Sequence, residues 1–366
     1  MSDFDSYRPP EPPRKRRRDK IGGAVRMRAR GWRDGGDGAR EMLMVPDVEF
    51  TSYYGRPVVK PPPWGHEVPA YLFLGGVAGG SGLIAFAAQL TGRELLRRNA
   101  RLGGLAAISL GGAALVKDLG RPDRFYNMLR TFKVTSPMSM GSWILTGYSV
   151  GAGVAAVAEI DRLTADRLPF GPLRPALRWV EPFSGFEAAL FSPPLASYTA
   201  VLLSDTANPT WNDARKYLPF VFVSSATLAA SGLAMITTPA SETGPVRMLA
   251  ALGVVGDVVN MKVLEHSMDP TVVETLHQGN PGKMLRWAER LAVAGGVGAL
   301  IGGRLRSIAV VSGAALLTAS ALTRFGVFEA GIESAKDPKY TIEPQKRRLA
   351  ARRAQGITDD SITTAR

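Results

Sequence analysis

The 366-residue chain contains no cysteine. Disulfides, thiolate-ligated iron-sulfur clusters and cysteine-zinc sites are therefore excluded within it. Histidine is almost as scarce, with His66, His266 and His277 the only three. A membrane cytochrome needs axial ligands inside its helices, whereas His66 precedes the first apolar segment, His266 ends the sixth and His277 falls in a loop. That placement argues against haem, and the chain is expected to be redox-silent on its own. Arg16 and Arg17, within the run RKRRR at 14–18, resemble a twin-arginine signal, but no apolar core follows them before residue 69, so secretion by that route is not expected.

The averages conceal the organisation. Mean hydropathy is +0.01 and 21% of residues are charged, yet the charge sits in the tails and loops around eight apolar stretches. These lie at about 69–90, 102–117, 138–158, 183–203, 217–237, 246–264, 287–303 and 305–323, each near the length a bilayer requires. The expected fold class is an all-α integral membrane protein, with a membrane domain over 69–325. A basic Pro/Gly-rich tail over 1–68, expected to be disordered, precedes it, and a C-terminal tail over 326–366 follows. The 40 glycines suit close helix packing in lipid. A net charge of +13 is explained by basic tails and loops of a membrane protein, without nucleic acid. Eight spans put both termini on one side. Lys and Arg divide almost evenly between the two loop faces, and cytoplasmic termini in a cell membrane are expected because a long basic tail is hard to translocate.

Three places carry ionisable groups that ordinary spans do not need. The stretch LVKDLGRPDRFYNMLRTFKVTSPMSMGSW at 115–143 packs Lys117, Asp118, Arg121, Asp123, Arg124, Arg130 and Lys133 between the second and third spans. Interfacial anchoring around Gly120 and Pro122 is the plain alternative. In the fourth span, Ser192, Pro193 and Pro194 predict a broken helix, because two consecutive prolines remove two backbone donors, with Glu187 about two turns before the break. In the sixth, Lys262 and Glu265 are spaced to meet on one helix face. Asp257 lies deeper without an evident partner and is the better candidate for a proton-carrying group. Arg324, ending the eighth span, is expected to snorkel.

The motifs PAYLFLGGVAGGSGL, KDLGRPDRFYNMLR followed by TSPMSMGSWILT, YTAVLLSDTANPTW with LPFVF, and FEAGIESAKDPKY followed by PQ resemble the NrfD family of polysulfide-reductase-type membrane subunits, over about 55–346. The resemblance implies eight or more spanning helices in two four-helix bundles and a quinone site at the bilayer edge. It also implies an iron-sulfur partner that contacts a molybdopterin catalytic subunit. On that basis His66, Glu67, Lys117, Asp118 and Arg121 are expected around one quinone head group, with Trp143 as an aromatic wall and Asp118 as the proton partner. Glu187, Asp257 and Glu265 form a candidate proton path. The alternative is a secondary transporter or ion-translocating module, supported by the expected broken helix and the intramembrane acids.

Overall fold

In lipid, a helix is the one open-ended conformation that satisfies every backbone polar group within its own segment. The computed structural model describes residues 57–356, and among them there is no strand. Four long helices come first: α1 (Glu67–Leu90), α2 (Glu94–Asp118), α3 (Pro137–Leu163) and α4 (Arg174–Ser204). A short α5 (Pro209–Asp213) leads to α6 (Leu218–Thr237) and α7 (Gly244–Ser267). Then follow α8 (Pro270–His277), α9 (Gly279–Ile301), α10 (Arg306–Lys336) and α11 (Lys339–Ala354). Among the described residues, six helical stretches are long and apolar enough to cross a membrane: α1, α2, α3, α6, α10 and the stretch Gly171–Ser204 that contains α4. α7 and α9 have the length but not the apolarity.

The long helices alternate in direction and form two four-helix bundles, α1–α4 and α6, α7, α9, α10, joined where α1 and α4 lie against α6. Small residues permit the close crossings. A Cβ on Gly232 of α6 would stand 2.5 Å from the Gly313 carbonyl of α10, and one on Gly313 would meet the Gly232 carbonyl at the same distance. At one end of the molecule, hereafter the mouth, lie the start of α1, the end of α2, the start of α3, and the short helices α5 and α8. There Trp64, just before α1, stacks on Trp211 of α5 (5.8 Å between ring centroids) and on Phe328 of α10 (6.4 Å). Trp211 is fully buried and donates from Nε1 to the Val327 carbonyl at 3.0 Å. This aromatic stack ties the two bundles together.

Three expectations change. α4 is continuous from Arg174 to Ser204, with Pro193 and Pro194 inside it. It is not broken, and neighbouring groups pack and hydrogen-bond around the proline pair. Gly79 and Gly82 of α1 let the Ser192 turn seat directly against α1, while Ser192 and Ser197 hydroxyls donate to the Ala188 and Pro193 carbonyls at 2.8 and 2.9 Å. Arg324 does not snorkel. α10 runs on to Lys336, so Arg324 sits well inside it and is fully buried. The same extension, with α11, makes helix of most of the stretch expected as a C-terminal tail. The N-terminal tail through residue 56 lies outside the described residues.

The far end of the first bundle is closed by an ionic network. Arg101, 5% exposed, donates from Nη1 to Glu159 (2.9 Å) and Glu181 (2.5 Å) and from Nη2 to Gln89 (2.6 Å). Arg97 reaches Glu159 at 2.8 Å and Arg162 joins Glu159 to Glu181. Beside them, buried Asp161 is held by Arg174 (3.1 Å) and Arg178 (2.8 Å). Buried charges persist when each has partners, and here the acids come from α3 and α4 and the cations from α2, α3 and α4.

Candidate functional site at the mouth

Two apolar chambers adjoin at the mouth of the first bundle. The inner one, about 310 Å³, lies beneath Trp64 and is bounded by Tyr71, Asp118, Ser142, Tyr198 and Leu203. The outer one, about 460 Å³, lies between α2 and α3 and is roofed by Phe125, Met128 and Leu129. Leu115, Leu119, Met128, Ser142 and Leu145 line both, so the two form one bent cleft.

Local sequence explains the shape. Pro122 starts a 3-10 segment, Pro122–Arg130, that carries the chain across the mouth. Its apolar side chains cover the outer chamber, while its charges stay in solvent. Ser136 caps α3, its hydroxyl accepting from the Ser139 amide at 3.4 Å. Gly141 of α3 allows the Tyr198 ring of α4 to approach where a Cβ would clash, and that fixes one wall of the inner chamber.

The polar features of the inner chamber are few. Asp118, half-buried at the end of α2, lines it. Tyr71 is 2% exposed and its hydroxyl has no hydrogen-bond partner. An unpartnered buried donor is costly and uncommon enough to require an explanation. Tyr71 lines the inner chamber, where its hydroxyl can meet an acceptor from outside the protein.

The sequence-predicted residues divide. Asp118 lines the cleft. Lys117 turns away from it and pairs with Glu67, Nζ to Oε1 3.1 Å, at the lip. His66 and Arg121 are exposed and neither lines a chamber. Trp143 does not form a wall of the cleft. Its indole donates to the Thr131 carbonyl at 3.2 Å, and its ring packs edge-on against Phe132, so it braces the loop that carries the roof.

Glu187, half-buried on α4, packs beside Gly151 of α3. Asp257 and Glu265 lie together on α7 in the other bundle, lining a separate cavity. The structure therefore joins two of the three candidate proton-path acids and not the third. Lys262 and Glu265 approach to 3.7 Å as their spacing predicts. Sequence reasoning missed Tyr71, although it stands four residues after Glu67 and so on the same helix face. It also missed Trp64 as a cavity wall and the buried acids Glu159, Asp161 and Glu181.

No curated protein matches the chain. The family model described as polysulphide reductase, NrfD, matches residues 58–242, just over half of the sequence and the whole of the first bundle with its cleft. The chain belongs to the NrfD family of integral membrane proteins.

Proposed function

We propose that the chain is the quinone-reactive membrane subunit of an oxidoreductase complex, and that the bent cleft is its quinone site. One observation carries this reading: an apolar chamber opening between two lipid-facing helices continues into a second that ends on a carboxylate and an unpartnered tyrosine hydroxyl. A membrane quinone has a matching division, an isoprenoid tail and a flat head with two carbonyl oxygens. Ligand sites of this kind are largely apolar, with a few converging polar groups.

Each residue then has a defined role. The outer chamber takes the tail. Tyr71 donates its hydroxyl hydrogen to a head-group oxygen. Reduction of a quinone takes up two protons with two electrons; Asp118 exchanges one of them with the other end of the head, and the second is exchanged with water at the mouth. The electrons pass to or from an iron-sulfur partner docked over the mouth, which in turn contacts a molybdopterin catalytic subunit. With no cysteine of its own, this chain depends on that partner for its electrons. Orientation with the termini, and hence the mouth, on the cytoplasmic side goes with this proposal. The transporter alternative loses one of its two supports, because α4 is continuous.

The test is Asp118→Asn in the assembled complex. Quinone-linked turnover is expected to fall by roughly 10²-fold, the usual effect of losing a general acid or base. Activity of the catalytic subunit with a soluble artificial electron carrier should be unchanged. Normal quinone turnover in a fully assembled variant would remove Asp118 from the site.

A further inference from the structure

Three of the four long helices of the second bundle, α7, α9 and α10, lie beyond residue 242, where the family match ends. Two of its helices, α7 and α9, are 24 and 23 residues long, sufficient to span, yet neither is apolar enough to be counted with the six. Five of their eight Asp, Glu, Lys and Arg residues border one cavity of about 120 Å³ between them, Asp257, Lys262 and Glu265 of α7 and Arg286 and Glu289 of α9, together with His277 of α8.

The outer groups of this cavity compensate one another. Lys262 Nζ stands 3.7 Å from Glu265 and 3.8 Å from Glu289, and His277 Nε2 is 3.7 Å from Glu265. The inner end is different. Asp257 is 4% exposed and its Oδ1 has no partner. Deeper still, Arg324 of α10 is fully buried, lies 3.8 Å from the centroid of the Phe222 ring, and donates from Nη2 to the Phe222 carbonyl at 2.5 Å. Its Nε and Nη1 have no partner.

Asp257 and Arg324 attract each other, yet no ion pair within 4.0 Å joins them. Three unpartnered polar atoms in the centre of a bundle would be hard to sustain dry. A cavity of about 120 Å³ that Asp257 itself lines, compared with the roughly 10–15 Å³ that one water occupies, has room for the missing partner of the Asp257 carboxylate.

We infer that the cavity is a water-filled inlet from the mouth face to Asp257, and that Asp257 exchanges its proton with this water while Arg324 balances its ionised form. The step moves one proton between water and a carboxylate oxygen, with no electron transferred. Ionised Asp257 is attracted by Arg324 and opposed by Glu289, while Lys262, Glu265, His277 and Arg286 set the field at the entrance. Glu187, in the other bundle, takes no part. This site is separate from the quinone cleft, and either assignment stands if the other fails.

The experiment is infrared spectroscopy of the full chain in lipid nanodiscs, titrated over pH and transferred to D2O. A protonated-carboxyl band is expected that titrates, shifts promptly in D2O, and is lost in Asp257→Asn. Met261→Phe, which narrows the inlet, should slow the D2O shift without abolishing the band. In the unsubstituted chain, a hydrophobic carbodiimide should label the peptide containing Asp257. An Asp257 that stays ionised at every pH, or a band that exchanges only on unfolding, or carbodiimide label confined to exposed acids, would overturn the inference. Quinone binding measured on the same preparations should be unchanged by Asp257→Asn, which distinguishes failure here from failure of the quinone site.

Discussion

The two ends of the first bundle are both rich in charge, and the charge does opposite things. At the far end, acids from α3 and α4 are buried against five arginines and the end is sealed. At the mouth, Lys117, Arg121, Arg124 and Lys133 are exposed, one pair closes the lip, and an apolar cleft lies beneath them. Charge density alone therefore does not mark a site in a membrane protein. What marks it is charge that leaves a neighbouring cavity open, together with polar atoms that find no partner within the protein. The far end makes the same point through volume. A groove of about 450 Å³ lies there among Leu83, Phe86, Leu90, Arg93 and Leu249, nearly the size of the outer chamber, but it has neither a buried acid nor an unpartnered hydroxyl.

The contrast can be broken by mutation at either end. The largest effect is expected from Arg101→Ala, which takes one of three arginine partners from Glu159 and one of two from Glu181, acids that are 1% and 5% exposed. Breaking a buried pair by removing one partner typically costs about 3–5 kcal/mol, so unfolding in detergent should show a loss of that order. Quinone affinity in the fraction that remains folded should be unchanged. A stable Arg101→Ala protein would mean that the far end is not a structural seal.

A smaller effect is expected from Tyr71→Phe. It removes a hydroxyl that has no partner within the protein, so the unfolding midpoint should not fall. Quinone affinity should fall by the worth of one hydrogen bond, about 0.5–1.5 kcal/mol. Reduced stability with unchanged affinity would show that the hydroxyl serves the fold instead. The smallest effect is expected from Lys117→Gln, because its pair with Glu67 is solvent-exposed and such pairs contribute little. Its unfolding midpoint and quinone affinity should both match the unsubstituted chain, and a large loss of affinity would return Lys117 to the site.

Much of the architecture was legible in sequence because lipid imposes one rule on long apolar segments. The expected stretches fall within the long helices of the structure except for one or two residues at the ends of the fifth, seventh and eighth, where the turn between the last two occupies residues 302–305. What was not legible depended on neighbours distant in sequence. Pro193 and Pro194 predict a break by local chemistry, whereas the continuous α4 is packed on Gly79 and Gly82 of α1, neighbours that local sequence does not reveal. Arg324 was expected at a helix end because hydropathy falls near residue 323, but small residues such as Gly326, Ala330 and Gly331 extend α10 past it while remaining buried. Asp118 could be singled out by its position at the end of an apolar run. The turning of Lys117 toward Glu67, and of Trp143 toward Thr131, depends on side-chain directions that spacing does not set.

The central claim, that quinone occupies the cleft beneath Trp64 and between α2 and α3, is tested most directly by photolabelling the membrane-embedded chain with an azidoquinone and mapping the adducts by mass spectrometry. The predicted result is label on peptides containing Leu115, Met128 and Leu145, displaced by unlabelled quinone and diminished in Tyr71→Phe. Displaceable label concentrated instead in the far-end groove, on peptides containing Leu83, Phe86 or Leu249, would contradict it.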